Sequence, residues 1–230
     1  MVSHCLFNVN ILLQPLFTLC AIRRIEDGRF VAALPQGYRP GHHDPTTENG
    51  GQEHASFLLE LPSGELLCSW FSGRMEAEYE MNVVLSRLLP NSSQWEKPVV
   101  VSHRRNFSNQ NPLLFRDPAT GFLHLYHPSQ RVGHGQANSS ILSLVSTDGR
   151  GLTWTDPEPV LTKHGSFVRG RVISDETSEG RLLLPMYFTP NGYSPQTRSD
   201  YCAVQVVSQA CITQSWSEVF VPNSPHPSLL

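Results

Sequence analysis

Apolar residues come in short runs along this chain, separated by Gly- and Ser-containing turns, and the runs recur. Three times a Gly turn leads into an apolar run: Pro62-Ser63-Gly64-Glu65-Leu66-Leu67, Pro118-Ala119-Thr120-Gly121-Phe122-Leu123 and Ser178-Glu179-Gly180-Arg181-Leu182-Leu183-Leu184. These glycines stand 57 and 59 residues apart. Further along each unit an apolar strand ends in Ser, and a turn then leads to Trp. The strands are Asn82-Val83-Val84-Leu85-Ser86, Leu142-Ser143-Leu144-Val145-Ser146 and Val204-Gln205-Val206-Val207-Ser208. The tryptophans Trp95, Trp154 and Trp216 are 59 and 62 residues apart. Two independent landmarks therefore keep nearly one period.

Each unit reads as strand, Gly hairpin, strand, loop, strand, polar turn and strand. Gly suits the hairpin because it takes a positive φ without a Cβ clash. Four short strands per repeat is the make-up of a propeller blade. No run places apolar residues at the i, i+3, i+4, i+7 spacing of a helix. The expectation is an all-β chain forming a partial β-propeller of about three four-stranded blades, at 51–103, 104–163 and 164–221. Residues 1–50 form an N-terminal extension whose Ala21–Val31 stretch suits a hairpin, followed by a loop at 40–51. Residues 222–230 are a Pro-rich tail.

Composition supports this picture and narrows the partners. Charged residues make up 16% of the 230, against 16 Gly and 18 Pro, which favours turns over exposed helices. A net charge of -3 gives no basic footprint for nucleic acid. The five cysteines form no CxxC pair, so zinc and redox chemistry are not expected. Cys202 and Cys211 have the spacing for a bridge across a hairpin, but buried free thiols are the stronger reading. No segment is long enough to span a bilayer. The first 22 residues lack Lys and Arg and are interrupted by polar residues and Pro15, a poor signal peptide. Asn91, Asn106 and Asn138 head glycan sequons, which matter only in a secretory compartment. The compartment is left open, with a weak case for secretion.

One turn carries a motif. Ser146-Thr147-Asp148-Gly149-Arg150-Gly151-Leu152-Thr153-Trp154 resembles the Asp box of sialidases, S-x-D-x-G-x-T-W, with one extra residue between Asp148 and Gly151. Asp148 suits a turn because its carboxylate accepts nearby backbone N–H groups. The matching turns after Ser86 and Ser208 lose the Asp. Two further stretches, His54-Ala55-Ser56 through Leu67 and Trp70-Phe71-Ser72-Gly73-Arg74 through Arg87, extend the likeness. The chain from about His54 to Tyr187 thus resembles the N-terminal half of a sialidase-like propeller with BNR repeats, of a divergent His-Ala-Ser branch.

That resemblance implies a set of site residues. His54 falls where well-studied sialidases place the first arginine of a carboxylate-binding triad. Arg74 matches the Arg of a Gly-Arg pair. Glu80 falls, by counting, at the general acid/base, with Glu78 as the alternative. If the segment is a strand, Glu76, Glu78 and Glu80 share one face. Asn111 and Arg169, with Arg171 beside it, open the second and third blades and should line one mouth with His54. Ser146, Asp148, Gly151 and Trp154 are structural. No cofactor or metal is implied.

Three functions compete. A sialidase-like glycoside hydrolase acting on acidic exo-sugars is the first. A non-catalytic glycan- or protein-binding propeller module is the second, and a uronate-active propeller lyase the third. The family's Tyr nucleophile, its Glu partner and the remaining arginines belong to later blades of a six-bladed ring, so the expectation is a truncated chain that is inactive alone. Its exposed blade edges invite self-association.

Overall fold

The structure is a computed structural model that describes residues 23–24, 30–31, 52–77, 79–175, 180–190, 200–208 and 216–221. Strands β1 (Arg23–Arg24) and β2 (Phe30–Val31) pair antiparallel. The remaining strands form three antiparallel units. In the first, β3 (Gln52–Glu60), β4 (Leu66–Gly73), β5 (Met81–Leu88) and β6 (Val99–Ser102) lie in chain order. In the second, β7 (Phe107–Asn109) and β8 (Leu113–Arg116) share one flank of β9 (Leu123–Arg131), followed by β10 (Ser140–Ser146) and β11 (Glu158–Leu161). In the third, β12 (Ser166–Val168) and β13 (Ile173–Ser174) share a flank of β14 (Arg181–Phe188), followed by β15 (Tyr201–Ser208) and β16 (Ser217–Val221). The sheets do not close on themselves, so the architecture is a partial β-propeller. Among the described residues no helix is long and apolar enough to cross a membrane.

The sequence period is visible in the backbone. Gly64, Gly121 and Gly180 each turn a hairpin at positive φ, from 74° to 81°. The alternation of side chains along β9 decides which unit packs on which. Leu123 and Leu125 join Leu67, Val83 and Leu85 between the first two units. Tyr126, on the opposite face, joins Leu184, Met186 and Phe188 between the second and third. β9 is thus buried on both faces along nearly its whole length, its polar residues His124, His127, Ser129 and Gln130 included. Cys68 is a free thiol, and Cys211 lies outside the described residues. Burial pushes the Cys68 thiol up to about 11, so it stays protonated and inert at neutral pH.

Two polar devices lock the first unit to the second. Glu65 is nearly buried between Arg87 and Arg150, its Oε1 accepting from Arg150 at 2.6 Å and its Oε2 pairing with Arg87. Arg87 also donates to the Arg150 carbonyl at 2.6 Å. Together the two guanidinium groups outweigh burial and hold the Glu65 carboxyl below its ordinary range. The second device is the turn that carries Arg150. Asp148 Oδ1 accepts from Ser146 Oγ (2.8 Å), Arg150 N (2.7 Å) and Gly151 N (2.8 Å), and Oδ2 accepts from Thr153 N and Oγ1 (both 2.8 Å). At Gly151 φ is 72°, and a Cβ there would sit 3.1 Å from the Trp154 ring and 3.3 Å from Leu67 and Leu123. The Trp154 indole donates to the Gly151 carbonyl at 3.1 Å and packs against the first interface. The inserted residue is absorbed by Gly149, also at positive φ (67°).

Asp148→Ala should therefore lower stability by about 2 kcal/mol, since several charge-assisted bonds go at once from an exposed turn. The turn's donors, with burial opposing them, hold the Asp148 carboxyl well below its ordinary 3.8. A depressed carboxyl contributes stability above its unfolded pKa and loses it as pH falls through the folded one. Urea unfolding should thus show the gap between wild type and variant full near pH 7 and shrinking as the pH drops well below 3.8.

Candidate functional site

The innermost strand of every unit leaves its ladder at the same height. In β3, His54 pairs with Phe71 and Phe57 with Ser69, so Ala55 and Ser56 oppose Trp70 alone. Between β7 and β8, Asn109 pairs with Ser129 and Leu113 with Tyr126, so three residues (110–112) oppose two (127–128). Between β12 and β13, Val168 pairs with Met186 and Ile173 with Leu183, so four residues (169–172) oppose two (184–185). The surplus residues bulge out of the sheet, and bulges re-aim side chains. A left-handed residue makes each bulge: Ala55 (φ 52°), Asn111 (φ 36°) and Gly170 (φ 91°). Asn and Gly take this conformation readily; Ala does so only at a cost of about 1 kcal/mol.

Around these bulges His54, Asn111, Arg169, Glu76 and Tyr187 gather. The His54 ring lies 5.5 Å from that of Phe71, and its Nδ1 is 3.4 Å from Glu76 Oε2. With side chains 51% and 34% exposed, that pair is worth well under about 1 kcal/mol and orients more than it stabilises. Asn111 Nδ2 reaches the Tyr187 hydroxyl at 3.5 Å. The Tyr187 ring stacks on Phe167 at 4.9 Å. Burial pushes the Tyr187 phenol up to about 12; Arg169 pulls it down, while Glu76 and Asp200 push it further up. It is therefore a neutral donor at neutral pH, within the fields of Glu76 from the first unit and Arg169 from the third. The assembly offers an imidazole, a guanidinium, an amide and a phenol as hydrogen-bond donors, with a carboxylate opposite. Such a set suits an oxygen-rich, partly anionic ligand.

The sequence reading placed its acidic residues differently. Residues 74–77 and 79–80 lie outside any strand, between β4 and β5, so Glu76 and Glu80 do not share a strand face. Chain reversal after Gly73 explains this: a Cβ there would meet Met81 Sδ at 2.6 Å and the Glu80 carbonyl at 2.7 Å. The Glu80 carboxylate accepts the Asn106 N–H at 2.6 Å, capping the turn into the second unit. Glu78 lies outside the described residues. Exposed Arg74 stacks over the Tyr79 ring at 4.4 Å. Arg171 is exposed beside the third bulge. Glu76 and Tyr187 were not singled out: one looked like part of an acidic edge, and the other stood outside a late-blade context. A Gly-Arg pair followed by mixed acidic residues was the available hint that a loop, and not a strand, carries the carboxylate.

The bulges thus set hydrogen-bond donors along the inner edge of a partial β-propeller. Residues 64–230 match the BNR repeat-like domain, and the chain belongs to that family. No curated protein matches it. Solved structures with the same fold include the Hadza microbial sialidase Hz136, at 15% identity and a TM-score of 0.57 over 72% of this chain and 37% of that one. The NanB sialidase of Streptococcus pneumoniae is similar at 11% identity and TM-score 0.58, covering 74% and 44%. The GH93 alpha-L-arabinofuranosidase of Fusarium graminearum is similar at 15% identity and TM-score 0.53, covering 77% and 52%. The chain thus spans about two fifths of the length of the two sialidases and half of the arabinofuranosidase.

The backbone of the first bulge makes a direct prediction. Ala55→Gly should leave stability unchanged or raised, because relieved strain offsets the greater freedom of the unfolded chain. Ala55→Val should lose more than about 1 kcal/mol, because a β-branched residue fits left-handed backbone poorly. Urea midpoints of the two variants measure the difference.

Proposed function

We propose that this chain carries a sialidase-like glycoside hydrolase site for acidic exo-sugars, built at the mouth where the three bulges meet. The observation that supports it most is the gathering of His54, Asn111 and Arg169, from three separate units, around one carboxylate-bearing loop. Arg169 is the permanent cation of the set and the natural partner of a sugar carboxylate, which it can hold with two parallel bonds. His54 and Asn111 donate to the same group or to neighbouring hydroxyls. The nearby Tyr187 hydroxyl adds a neutral donor. Cleavage of a glycosidic bond at this mouth is acid-assisted, as its oxygen needs a proton to leave.

The second reading is a binding module that holds the same sugar without cleaving it. It draws on the share of the sialidases that this chain spans, 37% and 44% of their lengths, since the rest of those proteins has no counterpart in these 230 residues.

A fluorogenic aryl sialoside, offered beside the matching neutral galactoside, separates these. The hydrolase reading expects release from the sialoside and none from the galactoside. It also expects Arg169→Ala to cut kcat/KM about 100-fold, the worth of a lost charged contact of about 2.7 kcal/mol. Sialoside binding without turnover, lost in Arg169→Ala, selects the binding module. A new ultraviolet band from an unsaturated uronate, on an acidic polysaccharide, selects a lyase in its place. Equal turnover of both glycosides contradicts acidic-sugar recognition outright.

A further inference from the structure

We infer that Glu76 is the proton-transferring carboxyl group of this mouth; the assignment rests on the hydrolase reading above and deepens it. The first support is how Glu76 is held. Its own N–H donates to Gln52 Oε1 at 2.7 Å, and the next N–H, of Ala77, donates to Ser108 Oγ at 3.3 Å. Gln52 lies on β3 and Ser108 on β7, so innermost strands of two units fix the loop at this one point. Ala77 takes a left-handed φ of 65° there, a strained conformation for a residue with a Cβ. A loop pinned from both sides and strained between the pins presents its side chain in a set direction.

The second support is where the carboxylate ends up. Glu76 Oε2 lies 3.4 Å from His54 Nδ1 at the first bulge, and its charge reaches Tyr187 in the third unit. With its side chain 34% exposed, the carboxyl is open to a ligand without being fully solvated. The third support is the alternative. Glu80, four residues on, already spends its carboxylate on the Asn106 N–H at 2.6 Å, a capping contact at the entry to the next unit. The loop therefore sorts its two described carboxylates into a turn cap and a group that faces the mouth.

The chemistry balances with this one group. The protonated Glu76 carboxyl gives its proton to the glycosidic oxygen as the bond from that oxygen to the anomeric carbon breaks, both electrons going to oxygen. The aglycone departs as an alcohol. A water oxygen then bonds to the anomeric carbon, and the proton it sheds returns to the Glu76 carboxylate. No oxidant, reductant or metal enters the balance.

The experiment uses two substrates that differ in their need for a proton. The lactose of sialyllactose is a poor leaving group and needs protonation, whereas the acidic phenol of an aryl sialoside leaves largely unaided. Wild type and Glu76→Gln are compared on both, with Glu80→Gln, which keeps an acceptor for Asn106, alongside. The expected result is a fall of at least about 100-fold for Glu76→Gln on sialyllactose and less than about tenfold on the aryl sialoside. Glu80→Gln should stay within about threefold of wild type on both, the range expected of a surface change. Equal losses on the two substrates, no loss in Glu76→Gln, or the leaving-group pattern in Glu80→Gln overturns the assignment and leaves the hydrolase reading standing. A wild-type chain that turns over neither substrate overturns both together. Melting curves check the fold of each variant. Should Glu76→Gln unfold, Glu76→Asp is put through the same two-substrate ratio, with the same outcomes.

Discussion

Everything at the mouth depends on a mismatch between two strands of unequal length. Each innermost strand carries one or two residues more than its neighbour can pair, and the surplus is expelled at one height. The cost is backbone strain and lost ladder bonds. The gain is that residues at each bulge leave the alternation of a regular strand, so that Asn111 of the second unit reaches Tyr187 of the third. The glutamate loop takes its place from the same mismatch, since it is pinned to Gln52 before the first bulge and to Ser108 before the second.

Such strain persists only where the surrounding structure over-determines it. Here two interfaces do so. The first is a leucine- and valine-filled seam between the first two units, closed by Trp154 at its rim. Glu65 sits at that rim between Arg87 and Arg150, a buried carboxylate that would be costly to leave unpaired. The second seam is aromatic, with Tyr126 edge-on to Trp216 at 6.0 Å and Phe188 stacked on Tyr201 at 4.9 Å. The outermost strand of the third unit is less covered: Val219 and Phe220 are both more than half exposed. Burial is therefore greatest where the units meet.

The fold was largely legible in the residues. Spaced glycines and tryptophans record a backbone need, a positive φ at each hairpin and a large ring at each seam, and such needs leave fixed residue types behind. The site was legible only in part. His54, Asn111 and Arg169 open their blades at matching places, and the structure brings them together. Counting from Gly73-Arg74 led to Glu80 and passed over Glu76, four residues earlier, whose carboxylate lies 3.4 Å from His54. Tyr187 was set aside because it stands outside the late-blade context of the family's Tyr, among the apolar Leu184, Met186 and Phe188. Its ring is indeed core, stacked on Phe167, while only its hydroxyl reaches Asn111. One side chain serves both ends, and a sequence pattern records only the larger part.

The central claim is that three bulges form one acidic-sugar site, and amide chemical-shift mapping with free sialic acid tests it most directly. The account predicts saturable shifts confined to residues around His54, Glu76, Asn111, Arg169 and Tyr187, with none on adding a neutral hexose at the same concentration. Shifts that scatter over the outer strands, or that a neutral hexose reproduces, would contradict it.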